Sequence, residues 1–375
     1  MKKVINSPLR NEKFWVGAGG LEAGMIPEAE KQGMTLSMLL EQMKSEKLGE
    51  RSTYLGLTKG EVLAKKRELR QAGQIAPKTA FEECLERAGI KASGKFADPV
   101  SKFFEYSDTS VLFPEFVADR VHAGLLDASL VSELAMAETV IDSRTFEKLY
   151  LEDDEDDREL REVSDLTDLP ETRIEVGDQS IRLDMYGRYV KVSQLDLKYQ
   201  RANVFAKFME RVGQQIGIDQ TDLLIYRLIN GDGNSNTTPA TTKTAAATGA
   251  AEVSFADTIT WATALPTPYK MDKFVTRKTN LVKWLTRLYD GQTTSVGNDF
   301  MKIYPQPLEW DRSVVTANYF WGVDSRYAIE YVSTGGVQTN SEDIIRQVAK
   351  GYAVYMLYNF AIADQNAVAK FDMSS

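Results

Sequence analysis

Any chemistry in this chain would run through very few residues. There is one cysteine, Cys84, and one histidine, His122. A thiol or hydroxyl nucleophile needs a base, and His122 is the only imidazole on offer. Yet His122 lies inside the amphipathic pattern FPEFVADRVHAGLLDASLVSEL, and no G-x-S-x-G elbow occurs. Cys84 reads as a small buried or half-buried residue on a helix. One Cys and one His do not make a zinc site, and a lone cysteine forms no intrachain disulfide.

Two other stretches invite a ligand. LLIYRLINGDG runs an apolar helix pattern into Gly231-Asp232-Gly233. Glycines that cradle phosphate follow a strand and open a helix, so that N–H groups and the positive end of the dipole face the anion. Here the glycines close a helix, where carbonyls emerge, and no G-K-[ST] follows. They read as punctuation. LEDDEDDRELREVSDLTDLPE is strongly acidic, but its spacing lacks the alternating oxygen ligands and turn glycine of an EF-hand loop. It reads as a solvated acidic loop. No catalytic residue, cofactor or metal ligand is therefore expected, and no enzyme.

The elements around these residues have other work to do. The chain has 375 residues, enough for one large domain or two to three smaller ones. No apolar run approaches the ~20 residues of a membrane span, and MKKVINSPLRNEKFW has no apolar core of a secretory signal. Charge is uneven. Residues 1–95 carry 17 Lys/Arg and 12 Asp/Glu, net +5, against 28 and 42 in the remainder, net −14. A basic N-terminal part on an acidic body suits an acidic partner, nucleic acid or the body itself, or is simply uneven solvated surface. No strongly basic patch interleaved with aromatics appears in the sequence, so base-specific nucleic-acid binding is not indicated.

Residues 1–26 read as irregular. Three short helices follow. TLSMLLEQMKSEKL has Thr35 as cap and Leu36, Leu39, Leu40 and Met43 on one face. LTKGEVLAKKRELRQAG has Thr58 and Glu61 as a capping box and ends at Gly73. PKTAFEECLERAGI has Pro77 at its start and Gly89 at its end. Short polar helices need packing against something. From Phe96 to Thr109 the pattern is extended. The His122 helix follows, apolar at Phe116, Val117, Val121, Leu125 and Leu126, then strand-like AETVIDSRTFEKLYLED.

ETRIEVGDQSIRLDMYGRYVKVS reads as a hairpin turning at Gly177-Asp178, with Ile174 and Val176 on one arm and Ile181, Leu183 and Met185 on the other. A two-stranded ribbon is marginal alone and usually docks on another surface. The strongest helix runs from about Leu197 to Asn230, apolar at Val204, Phe205, Phe208, Met209, Val212, Ile216, Leu223, Leu224 and Leu228, and would span about 45–50 Å. It reads as a spine. NSNTTPATTKTAAATGAAEVS reads as a flexible loop or loose β-edge. PYKMDKFVTRKTNLVKWLTRLYDG reads as a helix ending at Gly291. DFMKIYPQPLEWDRSVVTANYFWGVDSRYAIEYVSTGG alternates as strands. Strands are favoured from Tyr352 onward, although Ser341 and Asp343 are also compatible with a helix start.

In this order the elements resemble the major capsid protein of tailed bacteriophages with the Hong Kong 97-type fold, an α+β architecture, over roughly residues 100–375. FPEFVADRVHAGLLDASLVSEL resembles the family's N-arm. LEDDEDDRELREV and GDQSIRLDMYGRYVKVSQLDL resemble the extended E-loop. KYQRANVFAKFMERVGQQIGIDQTDLLIYRLINGDG resembles the spine helix. WDRSVVTANYFWGVDSRYAIEYV resembles a late strand pair of the A-domain, and QNAVAKFDM the closing strand.

The resemblance implies an N-terminal helical segment over 1–95, an N-arm over 96–133, a P-domain strand over 134–149 and an E-loop over 150–192. It continues with the spine helix over 193–236, the A-domain over 237–340, and P-domain and C-terminal strands over 341–375. It also implies a structural role: hexamers and pentamers closing an icosahedral shell around double-stranded DNA, located in the virion and assembled in host cytoplasm. Portal, scaffold and decoration proteins would be partners, with no membrane involved. The E-loop residues expected to touch a neighbouring subunit are Ile174, Val176, Gly177, Asp178, Ile181, Leu183 and Met185. The family's counterpart of 1–95 is often removed by a protease; here it is expected to be retained. Some members cross-link an E-loop lysine, but no lysine occurs between Lys148 and Lys191. The rival readings are an encapsulin-like shell around an enzyme cargo, another virion component of related fold, and a soluble enzyme using Gly231-Asp232-Gly233.

Overall fold

The computed structural model describes residues 25, 29, 34–48, 53–57, 59–151, 174–233, 241–244, 260–290, 305–315, 319–344, 346 and 349–372. Helices α1 (Leu36–Leu48), α2 (Lys59–Gln71), α3 (Ala80–Arg87) and α4 (Leu112–Ala128) come first. Strands β1 (Glu138–Val140), β2 (Thr145–Leu151), β3 (Ile174–Arg182) and β4 (Asp184–Ser193) precede the 29-residue helix α5 (Ala202–Asn230). Then come β5 (Thr241–Thr244), β6 (Lys273–Thr276), α6 (Lys278–Asp290), β7 (Gln306–Glu309) and β8 (Tyr319–Val323). β9 (Ile329–Ser333), β10 (Gln338–Ile344), β11 (Ala349–Ile362) and β12 (Val368–Asp372) complete the chain. The mixed α+β class expected from the sequence is present.

The chain forms two compact units, each assembled from separated stretches. The first takes residues 1–129, 186–219 and 336–356. Its three short N-terminal helices are packed, as their polarity requires. Thr35 Oγ1 accepts the Met38 N–H at the start of α1, and Leu36, Leu39 and Leu40 are buried. The capping box that forms is Thr79–Glu82 on α3, with both reciprocal hydrogen bonds present. Thr58, the expected cap of α2, lies outside the described residues. Buried polar groups then tie the layers together. Glu41 of α1 accepts the Ala80 N–H at 2.6 Å, and Glu115 of α4 accepts the Ser37 N–H at 3.3 Å. Lys66 of α2 donates to Glu82 of α3 at 2.7 Å.

Helices α4 and α5 cross through glycine. A Cβ built on Gly213 would lie 1.9 Å from the Val121 carbonyl oxygen, and one on Gly124 would lie 2.0 Å from that of Glu210. Gly217 meets the Leu125 carbonyl at 2.6 Å. Phe113, Phe205 and Tyr352 close this core, with Phe103 and Phe116 against Phe113. The extended segment expected over 96–109 is instead largely helical, with a 3-10 turn at Val100–Phe104 and a short helix at Ser107–Ser110. The turn is favoured because it buries Val100 and Phe103 while Lys102 reaches back to Asp98 at 3.1 Å.

The second unit takes 130–185, 220–335 and 357–375. One sheet runs β5-β12-β8-β6-β7. Its core gathers Trp261, Met271, Phe274, Trp284, Phe320, Ala369 and Phe371. Lys273–Thr276 belongs to this sheet and not to the helix expected there, which starts only at Lys278. The β-branched and aromatic run KFVT buries Phe274, Val275 and Thr276, and tertiary packing overrides the helical pattern. β1 pairs parallel with β9, and β9 pairs antiparallel with the Tyr358–Ile362 end of β11. In the first unit, β10 pairs antiparallel with β11 from Gln338↔Tyr355 to Ile344↔Ala349, so the strand alternative for this stretch is the one adopted.

Asp324 is fully buried behind β8. It accepts from Arg326 Nε at 2.9 Å, Arg326 Nη2 at 2.7 Å and the Lys270 N–H at 2.9 Å. Burial alone would raise its carboxyl, but the guanidinium and the N–H donors outweigh burial and hold it below its ordinary 3.8. A depressed folded value stabilises above the unfolded one and loses that contribution as pH falls through the folded value. The denaturation midpoint is therefore expected to drop as the pH falls below about 4, with a shallower drop in D324N. Equal slopes in the two proteins would contradict this role.

Candidate assembly surfaces

The spine expected from the sequence is present in two pieces. A short helix, Gln194–Tyr199, is capped by Ser193, whose Oγ accepts the Leu195 N–H at 3.2 Å. Arg201 then makes an isolated bridge to Pro99, and α5 follows for about 43 Å. Phe205, Met209, Val212, Leu224 and Leu228 are buried, whereas Val204 and Phe208 are each 53% exposed.

Gly231 and Gly233 end α5 with φ of +83° each, the left-handed values that glycine tolerates. Asp232 between them is buried, and its Oδ2 accepts the Ile362 N–H at 2.9 Å. The Gly-Asp-Gly element therefore pins a strand end to a helix end. Asp222, further back on α5, takes Trp310 Nε1 at 2.8 Å and Arg312 Nε at 2.7 Å.

The ribbon differs from the expected hairpin. Gly177-Asp178 is not its turn. β3 runs continuously from Ile174 to Arg182 and pairs antiparallel with β2. Glu147↔Ser180 is followed by Leu149↔Val176, so β3 carries two extra residues opposite Lys148. Gly177 and Asp178 therefore sit in a bulge, which accepts turn-type residues without reversing the chain. The ribbon's ends are Leu151 and Ile174, and the acidic stretch 152–173 lies outside the described residues.

β2 and β3 pair only with each other among the described strands. Of the contact candidates, Ile181 and Leu183 are buried at the ribbon's root, where Asn359 Nδ2 donates to the Arg182 carbonyl at 2.7 Å and the Leu183 N–H donates to the Arg144 carbonyl. Met185 is 66% exposed. Ile174, Val176, Gly177 and Asp178 lie on the bulged outer part of β3.

The fold also builds a surface that the linear sequence hides. Basic residues do not alternate with aromatics in any one stretch, yet residues 94–96 are brought beside 198–211. Arg201 Nη1 donates to the Lys95 carbonyl at 3.3 Å, and Asn203 Nδ2 to the Gly94 carbonyl at 3.1 Å. Phe96 (80% exposed) and Tyr199 (71%) flank these contacts in sequence, and Val204 and Phe208 are also exposed. The signal available beforehand was the i, i+4 pair Val204 and Phe208, read only as part of the apolar pattern of the spine helix. Residues 1–26, the tract 234–251 apart from 241–244, and Gly291 lie outside the described residues.

Cys84 is fully buried, and burial pushes its thiol up to about 12, so it is not a nucleophile at neutral pH. Among the described residues no group of three His, Cys, Asp or Glu side chains is placed to hold a metal ion, and no helix is long and apolar enough to cross a membrane.

No protein-family model matches the chain, and no curated protein matches it. Solved structures similar to it include capsids. One is the capsid of a native GTA particle, with TM-score 0.48 and 14% identity, covering 66% of this chain and 90% of that one. Another is a virus-like particle from Pyrococcus furiosus, with TM-score 0.46 and 11% identity, covering 69% and 99%. A third is the capsid of cyanophage P-SCSP1u, with TM-score 0.43 and 11% identity, covering 65% and 88%.

Proposed function

We propose that this chain is a major capsid protein of the Hong Kong 97 type, a subunit that assembles with copies of itself into the hexamers and pentamers of an icosahedral phage head around double-stranded DNA. The observation that carries this reading is the presence in one chain of a 29-residue spine helix and a two-stranded ribbon that has no third strand among the described residues. Such a ribbon gains stability by lying on another surface. A shell supplies that surface from a neighbour, and symmetry repeats each weak contact around every capsomer. Met185, at the start of β4, and the stretch from Ile174 to Asp178 of β3 are the residues proposed to reach the neighbour. Portal, scaffold and decoration proteins would complete the particle, and DNA would be enclosed without base-specific contacts.

The segment 1–95 is proposed to be retained, because its described helices are tied into the first unit by Glu41, Lys66 and Glu115. N-terminal sequencing of mature particles should find no start near residue 95. Negative-stain microscopy with light scattering on the purified protein tests the main reading. Closed shells, capsomers or tubes support it. A particle filled with protein instead of DNA would point to an encapsulin-like shell, and a monodisperse monomer even with the other head proteins would overturn assembly altogether.

Covalent chainmail is not expected, because the 42 residues from Leu149 to Val190 include no lysine amine. Boiled particles should run on SDS gels as a single monomer band, and a ladder of cross-linked species would contradict this.

A further inference from the structure

We infer that the cavity where α1, α2, α3 and α4 meet is a binding site for a small uncharged molecule, one that carries a carbonyl-type hydrogen-bond acceptor on a short apolar body. The site lies wholly within the first unit and does not depend on the capsid reading. Three of its four helices precede the stretch that resembles capsid proteins. The cavity holds about 90 Å³. Its apolar walls are Met38, Leu57, Val62, Leu63, Phe81 and Ala123. Tyr54, Glu41, Lys66, Glu82, Asp119 and Arg120 supply most of the polar lining.

Most of these polar groups are already engaged. Lys66 Nζ donates to Glu82 at 2.7 Å, and Glu82 also accepts the Thr79 N–H at 3.0 Å. Glu41 accepts the Ala80 N–H, and the Tyr54 hydroxyl donates to the Pro77 carbonyl at 2.9 Å. Arg120 differs. Its Nη1 faces Glu210 at 3.5 Å, yet its Nε is shut off from solvent and has no hydrogen-bond partner. A buried donor without an acceptor is costly, so an occupant that offers one oxygen lone pair is favoured.

The charges around the cavity select a neutral occupant. Burial would raise the Glu82 carboxyl, but the Lys66 ammonium, the Thr79 N–H and the Arg120 charge hold it below its ordinary 4.5. Glu82 is therefore ionised, and with Glu41 and Asp119 in the same lining it repels an anion. A cation meets Lys66 and Arg120, and it brings donors where an acceptor is needed. Size narrows the class further. A cavity of about 150 Å³ accepts benzene, so 90 Å³ encloses about four or five non-hydrogen atoms. Short amides and ketones are of this size. A peptide is not, because the backbone that carries a side chain exceeds the volume.

Propionamide, propionate and propionamidinium have one shape and differ in charge, so they test both parts of the inference. Ligand-observed saturation-transfer NMR on the full chain is expected to give propionamide a dissociation constant of about 1 mM. Propionate and propionamidinium should bind at least about tenfold more weakly. R120M keeps an apolar stem but removes the Nε–H, and should weaken propionamide by about tenfold. A123L fills the cavity from half-buried Ala123 on α4 and should abolish binding, with circular dichroism confirming that the variant is folded. Binding of propionamide that is unchanged in folded A123L places it elsewhere and overturns the inference, even where R120M fails to fold. Equal affinity of R120M and wild type overturns it too. So does propionate or propionamidinium binding as tightly as propionamide, or no binding of any of the three at about 20 mM. None of these outcomes touches the capsid reading, which particle formation tests separately.

Discussion

Replacing Gly213 with alanine is expected to destabilise the protein by about 3 kcal/mol or more. At an exposed mid-helix position the same change would stabilise by up to about 1 kcal/mol, through helix propensity. The sign reverses here because the added methyl would sit 1.9 Å from the Val121 carbonyl oxygen and 2.7 Å from its carbon. Both obstacles are backbone, so no rotamer change relieves the clash. The helices must separate, and their core of Phe113, Phe205 and Tyr352 loosens with them. Gly336 is the control, since nothing lies within 4 Å of a Cβ built there. Urea unfolding should show G213A well below wild type and G336A close to it. Equal midpoints for G213A and wild type would refute the crossing.

Trp261→Ala carries the largest expected loss in the second unit, about 4 kcal/mol. Trp261 is 1% exposed and stands at the centre of an aromatic cluster, with ring centroids 5.5 Å from Phe274, 5.8 Å from Phe320 and 5.7 Å from Phe371. Removing it deletes all three contacts and leaves a cavity that Phe320 and Phe371 cannot collapse into, because both sit on paired strands. Val282→Ala, at a 55% exposed position on α6, should change stability little. A W261A midpoint within about 1 kcal/mol of wild type would show that the cluster repacks.

Much of the fold was legible because it is written in local periodicity. The 3.6-residue pattern expected from about Leu197 to Asn230 holds from Ala202 onward, and the glycine stop after it and the strands from Tyr352 appear as expected. The failures lie where a residue type has two uses. Gly177-Asp178 serves a turn or a bulge, and only the partner strand β2 decides between them. KFVT fits the start of a helix until the β6 neighbours are known.

Gly124, Gly213 and Gly217 look like mere weaknesses in a helix pattern, since nothing local announces a second helix resting on them. The approach of residues 94–100 to 200–203 was illegible for the same reason: the two stretches are about a hundred residues apart in sequence. The alternation of Ile181, Leu183 and Met185 holds for burial only at the first two. It could not say that Ile181 and Leu183 would be buried at the root while Met185 faces solvent.

The interleaving of the two units bears on how the chain is made. The first unit needs residues as late as Met356, and the second uses residues to the end of the 375-residue chain. Neither can close while the ribosome is still near the middle of the message, because the strands that complete them have not yet been synthesised. Such long-range pairing slows folding. It also means that a nascent chain cannot present a finished contact surface to its siblings on the same polysome. Self-assembly of the kind proposed above would thereby be deferred until translation is nearly done, a timing set by the order of segments along the chain.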